Sequence, residues 1–182
     1  MTNFHFLLLT EIAIIGGQKR KCSANVEVIS INKDSISHIN SSIPSLPYEP
    51  YELSGAQLPN GDLLLSGGRT GSVHCNEYLY YKQGSHKWTK IGSMKKARSE
   101  HSSVWMDGRL FTTGGKDYSW KSISHHEEFS FDGGVKERKE MPTALCGHTS
   151  TIFDENKIIV CGGYDGNDGV VSKIFYILRF EK

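Results

Sequence analysis

Four Gly-Gly pairs recur down the chain at a near-constant interval: Gly16-Gly17, Gly67-Gly68, Gly114-Gly115 and Gly162-Gly163, their first glycines 51, 47 and 48 residues apart. Each pair closes a short apolar run, reading IAIIGG, LLLSGG, LFTTGG and IIVCGG. A fixed period near fifty residues means one supersecondary unit copied along the chain. At 182 residues, the copies together suffice for one domain with its own core.

Aligned on the glycines, the columns take on physical meaning. A charged residue stands five places before each pair (Glu11, Asp62, Arg109, Lys157), followed by consecutive apolar residues such as Leu63-Leu64-Leu65 or Ile158-Ile159-Val160. Consecutive rather than alternating apolar residues predict a strand covered on both faces, too short to be a buried helix. Asn60-Gly61 and Asp107-Gly108 begin seven residues before their pairs, with Glu155-Asn156 in the same place in the last unit. Asx-Gly predicts two-residue type I′ hairpins. Strands therefore lead into these turns from the other side: LSGAQL, HSSVWM and HTSTIF, with His101 and His148 in register. After a variable loop comes a third strand (EYLYYK, EEFSFD, KIFYIL). Trp88, seven residues after Tyr81, opens a fourth. Each unit reads as a four-stranded antiparallel meander. Sheets of this kind, repeated and buried on both faces, stack radially as propeller blades.

Charge is nearly balanced, with 21 Lys+Arg against 20 Asp+Glu, which is not the footprint of a nucleic-acid or membrane-surface binder. No apolar run reaches the ~18 residues of a transmembrane helix. FHFLLLT followed by IAII has an apolar stretch like that of a signal peptide, but no Lys or Arg precedes it and Glu11 interrupts it, so a buried strand is the better reading. Cys22, Cys75, Cys146 and Cys161 form no Cys-x-x-Cys pair and fit no zinc template, and they read as reduced thiols.

The chain resembles the kelch repeat family. The resemblance rests on the Gly-Gly pairs after apolar strands, the Tyr81 to Trp88 spacing, the Met94…Arg98…His101-Ser102 run and GGYDG at 162–166. It covers nearly the whole chain, in units of approximately 1–46, 47–93, 94–140 and 141–182. It implies an all-β, kelch-type β-propeller of about four four-stranded blades. The first unit lacks an evident leading strand and the last stops after its third, so the count is three, four, four and three strands, with the first and last blades incomplete. This is either a small or open propeller closed by its two partial blades or, the favoured reading, a fragment or truncated product of a longer protein; an open array would expose edges through which copies could self-associate.

Catalytic motifs are wanting. Gly67-Gly68-Arg69-Thr70-Gly71-Ser72 lacks the Gly-Lys-Ser/Thr ending of a phosphate loop and reads as a strand connection. His125-His126-Glu127-Glu128 offers two ligand types per strand face and no third partner, which suits an exposed strand or loop better than a metal site. His101 and His148 recur with the repeat and read as core residues. No metal and no cofactor is expected. The glycine pairs, with Tyr81 and Trp88, are structural.

Function falls to the loops that follow the glycine pairs. The longest, KDYSWKSISHH (116–126), presents Lys116, Tyr118 and Trp120. Arg69, Tyr164 and Asp165 begin neighbouring loops, and Arg98 precedes a leading strand. Exposed aromatics and arginine are typical of interface hot spots. The expectation is a noncatalytic, cytoplasmic protein-interaction module. Family resemblance implies substrate recognition for a cullin-type ubiquitin ligase, or actin binding, without the N-terminal domain that contacts the cullin. The alternatives are a kelch-type propeller enzyme, an oxidase or carbohydrate-processing one, and a truncated product without independent function.

Overall fold

A computed structural model describes residues 4–8, 11–17, 23–33, 35–39, 41–166 and 175–179. These residues form strands and connections, with no helix among them, and hence none that could cross a membrane. The first sheet runs β1 (Phe4–Leu8), β2 (Glu11–Ile15), β3 (Val26–Asn32), β4 (Ser35–Ile39) in spatial order. The second is built of β5 (Ser54–Gln57), β6 (Leu63–Ser66), β9 (Glu77–Tyr81) and β10 (Thr89–Ser93). A two-stranded ribbon, β7 (Arg69–Thr70) with β8 (Val73–His74), is inserted after its glycine pair. The third holds β11 (Ser102–Met106), β12 (Arg109–Thr113), β13 (His126–Ser130) and β14 (Gly134–Arg138). The fourth holds β15 (Thr149–Asp154), β16 (Lys157–Cys161) and β17 (Phe175–Arg179). Every pairing is antiparallel between sequence neighbours, apart from the ribbon excursion, so each unit is a meander and the chain is an open kelch-type array.

The first unit does have its leading strand, which corrects the expected three strands. β1 pairs with β2 from Phe4↔Ile15 to Leu8↔Glu11. No Asn-Gly or Asp-Gly separates the two, so in sequence they run together as one apolar stretch. The turns also differ from one another. Asp107 and Gly108 both have positive φ (50° and 75°), as a type I′ turn requires. At Asn60-Gly61 only the glycine does, and the Gly61 amide donates to Leu58 O while the Leu58 amide donates to Asp62 O. Pro59 is the reason: its fixed φ suits the first central position of a type I turn, which moves the hairpin to a longer loop closed by a left-handed glycine. In the fourth sheet the register slips between Ile152 and Asp154, so Glu155-Asn156 closes a bulged hairpin.

The core lies between sheets. Ala13, Ile15, Val26 and Val28 of the first pack on Leu63, Leu65, Leu79 and Tyr81 of the second. Leu64 and Tyr78 meet Leu110 and Phe129 of the third, and Phe111 and Met106 meet Ile158 and Val160 of the fourth. Leu63, Leu64 and Leu65 are all at most 2% exposed, so both faces of β6 are covered, as its unbroken apolar run predicts. Each such leucine contributes about 1.5–3 kcal/mol by burial. Trp88 closes the first seam, its Nε1–H donating to Pro44 O at 2.9 Å and its ring 5.3 Å from that of Tyr81.

The glycine pairs sit on these seams. A Cβ on Gly67 would lie 2.6 Å from Arg98 O and from Met94 Cε and 2.8 Å from His101 Cε1; one on Gly114 would strike the equivalent Leu145 O, Met141 and His148. Both glycines also have positive φ, so no other residue fits there. The residue before each pair completes the joint: Ser66 Oγ lies 2.9 Å from His101 Nε2, and Thr113 Oγ1 lies 2.9 Å from His148 Nε2. The two histidines are buried, as expected.

One sequence expectation fails here. His125 to Glu128 are not exposed: all four are buried, on β13 and its lead-in, with Glu127 facing the second sheet and His126 and Glu128 on the opposite face, the side of Phe111. Glu127 accepts hydrogen bonds from Tyr78 OH (3.2 Å) and the Lys95 amide (3.1 Å), with His125 Nε2 at 3.2 Å and Arg98 Nη2 at 3.7 Å. Glu128 pairs with Arg138 (2.6 Å) and Arg109 (3.6 Å). The stretch reads as polar, but its charges are neutralised by partners far away in sequence, which strand periodicity cannot reveal.

Candidate functional site

The leading strands β1, β5, β11 and β15 neighbour one another in order, so the segments that lead into them and the loops that follow the glycine pairs gather at one end of the array. Three equivalent steps build this rim. Tyr51 exchanges two backbone hydrogen bonds with Arg69 (3.0 and 2.9 Å), Ser99 with Lys116 (3.0 and 2.8 Å), and Cys146 with Tyr164 (3.0 and 2.8 Å). The next residue in each case is left-handed: Glu52 (φ 57°), Glu100 (φ 53°) and Gly147 (φ 62°). The Glu100 amide donates to Glu52 O at 3.0 Å and the Gly147 amide to Glu100 O at 2.8 Å, linking three blades in sequence. A non-glycine residue in this conformation costs about 1–2 kcal/mol. Such strain gathers where the surrounding structure fixes a functional surface. Among the described residues, three of the four non-glycine residues with positive φ (Glu52, Glu100 and Trp120) belong to the rim.

The side chains close on one another. Arg69 Nε and Nη2 donate to Glu52 (2.5 and 2.9 Å), and Nη1 donates to Gly71 O (2.7 Å) and to the Tyr51 hydroxyl. The guanidinium lies 4.0 Å from the Tyr51 ring centre and 4.9 Å from that of Trp120. Burial works against the charge on Glu52, but the hydrogen bonds and charge of Arg69 outweigh it and hold the carboxyl below its ordinary range. One blade on, Lys116 Nζ donates to Glu100 at 2.8 Å, and that pairing lifts the amine above its usual value against the opposing effect of burial. Ser99 Oγ donates to Glu52 at 3.1 Å, tying the two ionic pairs together.

Trp120 crosses from the third blade onto the second. Its ring packs edge-on against His74 of β8, centroids 5.0 Å apart, and its backbone is left-handed (φ 60°). Asp117 shapes this loop, accepting from the Ser119 amide and hydroxyl (2.9 and 2.6 Å), while the Trp120 amide donates to Asp117 O. On the other side, Ser122 Oγ donates to Tyr164 O at 3.4 Å, so the same loop touches the fourth blade. His74 is buried under Trp120, and burial together with Arg69 pushes its pKa down. Tyr118 stands at the loop tip, 83% exposed, with Trp120 at 47%, Tyr164 at 46% and Val73 at 66%. The rim thus presents aromatic and aliphatic surface held on internally neutralised ion pairs.

Of the anticipated loop residues, Arg69 and Trp120 are in direct contact, Lys116 and Tyr164 follow on the adjacent steps, Tyr118 projects, and Asp165 is half-buried beside Tyr164. Arg98 is the correction. It is wholly buried, donating through Nη1 to Gly114 O (3.0 Å) and His125 O (3.1 Å), and it braces the seam rather than the rim. Tyr51 is likewise buried. Glu52, Glu100 and His74 were not anticipated. The signal for the first two was present: they share a column with Gly147, and a glycine there marks a left-handed backbone. Among the described residues, no group of three or more His, Cys, Asp or Glu side chains is placed to hold a metal ion, and Cys75, Cys146 and Cys161 are free.

The fold and rim define a repeat scaffold with a loop-built face, and relatives in sequence agree. The chain is 28% identical over 112 residues to beta-scruin of Limulus polyphemus, 31% over 91 to human kelch-like protein 35, and 34% over 113 to kelch-like protein 23 of Pongo abelii. These alignments cover 58%, 48% and 59% of this chain but only 12%, 15% and 18% of the relatives. No protein-family model matches the chain. All three relatives are kelch-repeat proteins, and the phased glycine seams and four-stranded blades make this chain kelch-like.

Proposed function

We propose that the chain is a noncatalytic protein-interaction module that holds its partner on the rim formed by Tyr118, Trp120, Tyr164 and Val73, braced by Arg69, Lys116, Glu52 and Glu100. The observation that carries this reading is the Arg69 guanidinium packed between Tyr51 and Trp120 while each of its three nitrogens donates to an acceptor within the chain. It serves to hold an aromatic anchor in place, and rigid, half-exposed aromatics are what protein hot spots are made of. The rim charges meet in closed pairs rather than converging on a vacant point, which favours binding over acid–base chemistry.

The kelch-like relatives support a more specific reading: recognition of a protein substrate for a cullin-type ubiquitin ligase, in a cytoplasmic setting, with actin binding as the second reading on the strength of the scruin relative. A photo-crosslinking side chain at position 118 tests the surface. Capture of the same protein from 118 and 164, but not from position 136 on β14, is the expected result. Equal capture from all three would count against a rim site.

A further inference from the structure

The three complete seams follow one rule. The first glycine of each pair receives a backbone carbonyl of the next blade: Pro50 O lies 2.6 Å from where a Cβ on Gly16 would be, Arg98 O 2.6 Å from that on Gly67, and Leu145 O covers Gly114. Three residues earlier, Ala13, Leu64 and Phe111 are sealed at 0%, 0% and 2% exposure. The fourth blade has the same socket without an occupant. No described atom lies within 4 Å of a Cβ on Gly162. Ile159, in the Leu64 and Phe111 column, is only half-buried, and Ile177, paired with it across the sheet, is 52% exposed. Cys161 stands where Ser66 and Thr113 meet the next blade's histidine, and it too is half-buried.

The other end of the array carries the complementary face. Ile12 and Ile14 occupy the columns of Leu63 and Leu65, Leu110 and Thr112, and Ile158 and Val160, all at 0–2% exposure because a preceding blade covers them. In the first blade these two isoleucines are half-buried. With Ile29, which pairs with Ile12, and Ile31, 38% exposed, they form an apolar stripe on the side facing away from the second blade. Ala13, Ile15, Val26 and Val28 face the second blade instead.

We infer that these two faces are halves of one seam, and that the fourth blade of one copy receives the first blade of a second copy, head to tail. The occupant follows from continuity with the three seams inside the chain, which join a blade's far face to the next blade's near face. The chain carries one of each unused among the described residues. Because the halves differ, the contact is heterologous and must close or grow. Two arrays of four blades make about eight, within the range in which propellers close. The inference rests on the seams and is independent of what binds the rim.

Sedimentation velocity on the 182-residue chain, with Ile177→Lys and Ile14→Lys variants, tests it. The expected species has at least twice the 20.3 kDa chain mass. Each substitution alone weakens association by about tenfold or more, since a lysine head cannot be buried unpaired in an apolar seam. An equimolar mixture of the two variants restores a dimer, because each retains the half the other has lost. Maleimide labelling of Cys161, read by mass spectrometry, slows with concentration in the wild type but not in Ile14→Lys alone. A chain that stays monomeric across the range, or association that neither substitution weakens, overturns the proposal. Thermal melts of Ile177→Lys and of the milder Ile177→Ser establish that the variants are folded.

Discussion

His101 Nε2 lies 2.9 Å from Ser66 Oγ across the seam between the second and third blades, buried from solvent; His148 repeats the contact with Thr113 one blade later. Burial, helped by Arg98 and His148, holds His101 well below its ordinary value, and burial holds His126 and His148 at about 4. Unfolded, each would titrate near 6.5. The folded values are depressed, so between these limits the unfolded chain binds more protons. The stabilisation is complete above about pH 6.5 and declines toward pH 4, by roughly 1.4 kcal/mol per pH unit for each histidine. Denaturant midpoints measured across this window are expected to fall with acid, and more shallowly in His148→Gln.

Gly114→Ala and Gly162→Ala separate strain from collision. Both place a side chain at positive φ, costing about 1–2 kcal/mol. Only Gly114→Ala also drives a methyl into Leu145 O, Met141 and His148. It is expected to be less stable than Gly162→Ala by about a further 2 kcal/mol, measured by chemical denaturation at high dilution. Equal losses would mean that the glycine pairs do not form the seams.

Arg98→Leu copies the residue that the fourth unit carries at this column, Leu145. Alone it leaves Glu127, at 0% exposure, without its buried guanidinium, and is expected to cost about 3–5 kcal/mol. Adding Glu127→Leu removes the stranded charge and should recover at least half of that loss. A double variant no better than the single would place the energy in the two carbonyls that Arg98 caps.

Trp120→Ala discriminates binding from scaffolding. Arg69 keeps Glu52 and the Tyr51 ring, so the thermal midpoint should change by the equivalent of about 1 kcal/mol or less. Trp120 is half-exposed at the rim, so partner capture should fall severalfold.

The seams were legible because repetition turns a weak local signal into a column: one Gly-Gly pair means little, and four in phase fix the blades. The leading strand of the first unit was not legible, since no turn residue parts it from β2. The rim was half legible. Its exposed aromatics could be named, because loop residues with large side chains stand out. The difference between Arg69 and Arg98 could not: both are arginines beside strand ends, and only the distant Glu52 and Glu127 decide that one supports the rim while the other is sealed in a seam. The same applies to Glu127 and Glu128, polar in sequence yet buried because their partners lie elsewhere.

The most direct test of the rim as the working surface is affinity capture with quantitative mass spectrometry. Native chain is compared with Tyr118→Ala/Trp120→Ala and with an outer-strand control, Ile36→Ser, at matched thermal stability. Loss of the principal captured protein in the rim variant, with retention in the control, is the predicted result; an unchanged set of captured proteins in the rim variant would contradict it.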